Sequence, residues 1–168
     1  MGESQPSMDE LRQVGLFGAL NDEMLGFLAS RLVISTPTAG TEVFKEGDPA
    51  RDLFVVLNGE MEVLKRSQSG VDARVALLGP GDWFGEMSIL DVQPRSASVR
   101  VLAPSRLLRI GAADLDALYR HDVRGYAIIV LNIARELSRR LRVADGLLAD
   151  LVVNVMGHYI DRRRPPAS

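Results

Sequence analysis

From Val33 onward the chain runs in short apolar and polar alternations, each closed by a turn signal, and few folds accept that pattern. Val33-Ile34-Ser35-Thr36 and Thr41-Glu42-Val43-Phe44-Lys45 are the first two strands this predicts, and Gly47-Asp48-Pro49 turns the chain after them. Residues 52–57 and 60–65 flank Asn58-Gly59, the strongest short hairpin signal present, so a β-hairpin is expected there. In the second of these runs Met61, Val63 and Lys65 share one face, and Glu60, Glu62 and Leu64 the other. After a turn over 67–72, residues 73–78 carry few charges and are expected to lie well inside. Gly79-Pro80-Gly81-Asp82 turns again, and residues 97–102 and 106–110 form two more strands around Ala103-Pro104-Ser105. Short strands at close, regular spacing predict a mainly β domain with flanking helices, a double-sheet jelly-roll β-barrel.

Helical signals frame the strands. Residues 1–7 are polar and expected to form a disordered tail, with no apolar stretch of the kind a signal peptide needs. Residues 8–14 read as a short helix. Asn21 is a good N-cap, with Asp22 and Glu23 in the first turn. Met24, Leu25, Leu28 and Leu32 then make an apolar, core-facing side. Residues 112–119 read as a helix that breaks near Asp122, which closes a domain over 8–122. From 123 to 160 the helical pattern is nearly continuous. Val130, Ala134, Leu137, Leu141, Ala144, Leu148, Leu151, Val155 and His158 follow in alternating steps of four and three, and eight of the nine are apolar. This seam predicts a homodimer through the long helix. Gly146 falls on its outer face and weakens the helix there. Residues 161–168, with Arg162-Arg163-Arg164-Pro165-Pro166, are expected to be a solvated tail.

The remaining composition removes several classes of function. With no cysteine, disulfides, thiolate metal sites and a cysteine nucleophile are excluded, and a cytoplasmic location is compatible. A net charge of −2 gives no basic field for nucleic acid. No apolar run reaches the roughly 18 residues of a membrane-spanning helix. A jelly-roll metal enzyme needs His and Glu ligands clustered on strands, yet the two histidines, His121 and His158, both fall in the helical C-terminal part, so no metal is expected. A nucleophile-elbow motif is also missing. The expectation is a binding module, not an enzyme.

Residues 79–101 carry the chemistry. Gly85 lets the backbone come close to a ligand. Glu86-Met87-Ser88-Ile89-Leu90 reads as a short helical turn whose first N–H groups suit an anion. Arg95 follows across a short loop, where its planar fork can pair with phosphate oxygens. Glu86 would repel phosphate unless it faces a hydroxyl, so a ligand carrying both a phosphate and a ribose hydroxyl accounts for both charges.

Phe84-Gly85-Glu86-Met87-Ser88-Ile89-Leu90 followed by Pro94-Arg95-Ser96-Ala97-Ser98-Val99 closely resembles the phosphate-binding cassette of cyclic nucleotide-binding domains, the modules of catabolite activator proteins, kinase regulatory subunits and gated channels. The resemblance covers residues 16 to 151 and implies a cyclic nucleoside monophosphate as ligand. Glu86 would accept from the ribose 2′-hydroxyl, and Arg95 would pair with the exocyclic phosphate oxygens. Backbone N–H groups of Gly85, Met87 and Ser88, or of Ala97, would complete the cradle. Ser96 would donate to phosphate or base, and Val63 and Val75 would pack the sugar and base.

Two departures from that pattern bear on function. Catabolite activators carry a Thr-Ser pair on the long helix against adenine, and here Ala144 and Asp145 take those places. Ala144 offers no hydrogen bond, whereas Asp145 can accept one from an adenine amino group or the guanine edge. Cyclic AMP is therefore the first choice of ligand and cyclic GMP the second. A DNA-binding helix-turn-helix follows the long helix in that family, but this chain closes at Ser168, so no direct DNA binding is expected of it. A haem sensor of this fold would need an axial ligand at the barrel–helix junction, where no His lies. The expected output is a cyclic nucleotide sensor signalling through its C-terminal helix; the alternative is a dimerisation module of the same fold without ligand.

Overall fold

The structure, a computed structural model, describes residues 4–156. By its contacts the chain divides into two compact units after Asn132. The first holds two four-stranded antiparallel sheets with helices around them. β1 (Val33–Ser35), β8 (Arg106–Gly111), β3 (Asp52–Asn58) and β6 (Trp83–Phe84) form one sheet in the order β1-β8-β3-β6. The second runs β2 (Glu42–Phe44), β7 (Ser98–Val101), β4 (Met61–Arg66) and β5 (Asp72–Leu78). This is the two-sheet jelly roll that the strand spacing predicts.

Period-two alternation builds its core. Val56, Met61, Leu78, Phe84, Val99, Val101 and Leu107 come from both sheets and pack in one cluster, edged by the partly buried Val43, Phe44, Phe54 and Val63. The neighbouring residues Leu53, Val55, Leu108 and Ile110 are fully buried on the opposite face of the first sheet. Helix α1 (Met8–Arg12) packs on α2 (Asp22–Ala29), α2 on α4 (Ala112–His121), and α4 on β8. Each has a local start signal. Ser7 and Glu10 form a capping box on α1, Asn21 Oδ1 accepts from Met24 N–H at 2.9 Å, and Gly111 N–H donates to Asp114 at 2.9 Å. The tail expected over 1–7 is thus shorter in its described part: Ser7 caps α1, and Ser4 pairs with Ile34 through two backbone hydrogen bonds.

Two expectations about the strands are corrected. Asn58-Gly59 does not close a hairpin. β3 and β4 belong to different sheets, and the link carries the chain from one to the other. Gly59 has φ +99°, and a Cβ there would sit 1.9 Å from Ser105 Oγ, so the crossing needs glycine for space as well as for dihedral angle. Strand β5 is not interior. It is a sheet edge paired only with β4 and exposed except at Leu78, because an edge strand has no neighbour on its outer side. Glu62, on the face of β4 opposite Met61, is buried, with Arg100 Nη2 at 2.5 Å and Arg74 Nη1 at 3.8 Å. The hairpin of this sheet is β4–β5, with Ser67 N–H donating to Val71 O at 2.8 Å across the turn.

Helix α5 spans Val123–Met156, opened by Asp122, whose carboxylate accepts from the N–H groups of Arg124 and Gly125 at 2.7 and 3.0 Å. Residues 133–156 are the described part of the second unit. Leu141, Leu148, Leu151 and Val155 of the predicted seam are all exposed on this helix. Glu136 is held there by Arg139 and Arg140, and their hydrogen bonds keep its carboxyl below the usual range. His158 and the basic tail lie outside the described residues.

Candidate functional site

The connection from β6 to β7 has two arms. The first leaves β6 at Phe84, turns at Gly85 with φ +84°, and enters α3 (Met87–Leu90) through Glu86. The N–H groups of Ile89 and Leu90 both donate to the Glu86 carbonyl, so the turn closes on itself; both Glu86 and Ser88 are buried. The second arm carries Arg95. Its backbone pairs with the turn after β2: Arg95 N–H donates to Asp48 O, and Gly47 N–H donates to Arg95 O, both at 2.9 Å. Ser96 Oγ lies 3.7 Å from Met87 Sδ, where the arms meet.

Arg95 is 5% exposed, which is exceptional for a guanidinium. Nη1 donates to the Asp52 carbonyl at 2.7 Å and to the Gly85 carbonyl at 3.1 Å, and Nη2 pairs with the Asp52 carboxylate. Asp52 also takes Arg109 Nε at 2.7 Å on its other oxygen. The guanidinium stacks over Phe44, 3.8 Å from the ring centroid. Its Nε is buried and donates to no acceptor among the described residues. Burial pushes the Arg95 pKa down and the Asp52 charge opposes that shift. A Cβ on Gly85 would lie 2.5 Å from Arg95 Nη1 and 3.2 Å from the Asp52 carbonyl. Glycine at 85 is therefore what allows the first arm to close on the arginine.

Beneath this pair lies an aromatic floor. Phe54 stacks on Phe84 at 5.5 Å between centroids, and Phe44 tilts against Phe84 at 5.7 Å and Phe54 at 6.1 Å. The structure thus brings Phe84, Gly85, Glu86, Met87, Ser88, Arg95, Ser96 and Ala97 into one loop pair, and Val63 edges the same core. Val75 is not part of that wall. A bulge shifts the β4–β5 register beside it, Ala76 lies opposite Val63, and Val75 is 59% exposed. Ala144 and Asp145 are exposed on the second unit. Asp52, Phe44, Phe54 and Arg109 were not singled out from sequence. Asp52 stands at a strand start like any polar boundary residue, and only the pairing of β3 with β8 sets it between Arg95 and Arg109.

The loop pair of this jelly roll thus buries one arginine against a glycine turn and a carboxylate. Residues 37–122 match the family model of the cyclic nucleotide-binding domain. A CRP-like cAMP-activated global transcriptional regulator of Mycobacterium tuberculosis is 32% identical over 146 residues, 86% of this chain and 63% of the relative. The crystal structure of Thermus thermophilus catabolite activator protein is similar with a TM-score of 0.71 and 34% identity, covering 82% of this chain and 62% of that one. A cyclic nucleotide-binding domain from Methylobacillus flagellatus gives a TM-score of 0.76 at 26% identity, covering 85% and 81%. This chain belongs to the cyclic nucleotide-binding domain family. It spans less than two thirds of the length of the Mycobacterium relative.

Proposed function

We propose that this chain is a cyclic nucleotide sensor, with cyclic AMP its first ligand and cyclic GMP second. One observation carries the reading: a buried arginine, already neutralised in part by Asp52 and closed upon by the Gly85 turn, keeps a buried Nε–H that has no acceptor among the described residues. A buried donor of this kind calls for an oxygen partner. Arg95 would hold the exocyclic phosphate oxygens, with the N–H groups of Gly85, Met87, Ser88 and Ala97 around them. Glu86, buried in the same loop, would accept from the ribose 2′-hydroxyl, and Ser96 would donate to phosphate or base. Val63 with the Phe44–Phe54–Phe84 floor would take the apolar side of the nucleoside. Support for cyclic AMP comes from the Mycobacterium relative, which is named as cAMP-activated. No enzymatic step and no metal enter this reading, and the sensor works in the cytoplasm.

Calorimetry with cyclic AMP and cyclic GMP tests the reading. Both should release heat, with the tighter constant for cyclic AMP. Silence with both would favour the dimerisation module, and tighter binding of cyclic GMP would overturn the base preference and turn attention to Asp145.

The long helix is the proposed output. Exposed Leu141, Leu148 and Leu151 follow the heptad seam, and a second copy of the helix is the partner such a stripe fits. Ligand would shift helix position only through a difference in affinity between two arrangements. Leu141→Lys should turn a dimer into a monomer in light scattering, because it sets a charge in the seam. A monomeric wild type would remove the dimer from the proposal.

A further inference from the structure

Lys65, near the end of β4, reaches the cassette from outside the motif. Its Nζ donates to Glu46 Oε1 and to the Ser96 carbonyl, both at 2.6 Å. Glu46 is itself fixed: its other oxygen accepts from Arg66 N–H at 3.0 Å, and its own N–H donates to Ser98 Oγ at 2.9 Å. The ammonium is therefore held on both sides and cannot wander as a surface lysine does. The Lys65 hydrogen bond holds the Glu46 carboxyl below the usual carboxylate range.

The carbonyl that Lys65 holds shares a peptide unit with the Ala97 N–H. In a trans peptide the two bonds point in opposite directions, so fixing the carbonyl toward Lys65 fixes where the N–H aims. That N–H donates to no acceptor among the described residues. A cation on the carbonyl oxygen also polarises the peptide and strengthens the N–H as a donor. The next residue back along the chain is Arg95, whose backbone is pinned to the turn at 47–48. Lys65 and that turn thus restrain the two ends of the same arm.

We propose that Lys65 is a positioning residue for anion recognition, aiming and polarising the Ser96–Ala97 peptide so that the Ala97 N–H meets a phosphate oxygen. This rests on the cyclic nucleotide reading of the cassette. Lys65 acts here without touching the ligand, and its side chain is half exposed.

The experiment pairs cyclic AMP calorimetry with the Ala97 amide signal in 15N-labelled protein, on wild type, Lys65→Met and Lys65→Arg. Removing the charge should weaken binding about fivefold, the scale of one charge-assisted contact at a half-exposed site. Lys65→Arg should restore most of that loss, since arginine can still donate to the carbonyl. The downfield shift of the Ala97 amide proton on adding cyclic AMP should shrink in Lys65→Met, and the ligand-free melting temperature should stay within about 2 °C of wild type. Equal affinities for wild type and Lys65→Met would overturn the inference alone, as would an unchanged Ala97 shift. A loss matched by a large fall in ligand-free melting temperature would make Lys65 a structural residue and overturn it as well. A wild type that binds neither nucleotide would bring down the functional reading together with this one.

Discussion

Arg95→Ala lowers cyclic nucleotide affinity by roughly thirtyfold to several thousandfold, which is about 2–5 kcal/mol for one partner of a buried charge pair. The side chain is almost wholly buried, so solvent screens little of its field. Alanine keeps the fold, because Asp52 retains Arg109 at 2.7 Å and does not become an uncompensated charge. Circular dichroism of the ligand-free protein should therefore match wild type while calorimetry loses its signal. Arg95→Lys should fall between the two. It keeps the charge but lacks the fork that reaches the Asp52 carbonyl, the Gly85 carbonyl and a ligand oxygen together. If Arg95→Ala binds cyclic AMP as tightly as wild type, the phosphate is not held at Arg95.

The largest stability effect lies far from the ligand, at Gly59. Gly59→Ala should destabilise the fold by about 2–5 kcal/mol, the sum of a strained dihedral angle and an overpacked contact. The added methyl would meet Ser105 Oγ at 1.9 Å, its Cβ at 2.6 Å and its Cα at 2.8 Å, and the last is backbone that cannot rotate away. Gly40→Ala separates the two causes. Gly40 has a comparable φ of +85° but nothing within 4 Å, so it reports strain alone, about 1 kcal/mol. Urea unfolding should show a much lower midpoint for Gly59→Ala than for Gly40→Ala at unchanged slope. Equal midpoints would mean that the link between the sheets can relax around a side chain.

Much of the fold is legible in the sequence because strands advertise themselves locally. Alternation and turn residues place every strand but the two-residue β6 within a residue or two, and Asn21 marks the start of α2 as its side chain dictates. Partners are another matter. Asn58-Gly59 has the local chemistry of a hairpin turn, but the decision between turning back and crossing over is made by Val56, Met61 and Leu107, which meet only when both sheets close. Edge position is equally invisible: Ala73 to Leu78 reads as interior because it carries few charges, and only the sheet order shows it at the rim. At the site, Gly85, Glu86 and Arg95 stand out because their spacing is a motif. Asp52, Phe44 and Phe54 come from strands distant in sequence and carry no local mark of their task.

The sheet order also governs how the chain must find its shape. Val33 pairs with Arg109, Glu42 with Arg100 and Val55 with Trp83, while β4–β5 alone joins neighbours in sequence. Nearly every ladder therefore closes a long loop before it gains anything from packing. Domains dominated by such distant pairings fold in roughly milliseconds to seconds, far slower than helical bundles of similar stability. The β4–β5 hairpin is the one piece able to form early, and β7 must then find β4 across the whole cassette. The arm bearing Arg95 leads directly into β7, so the loop from Gly85 to Arg95 is anchored at both ends only once that pairing is made.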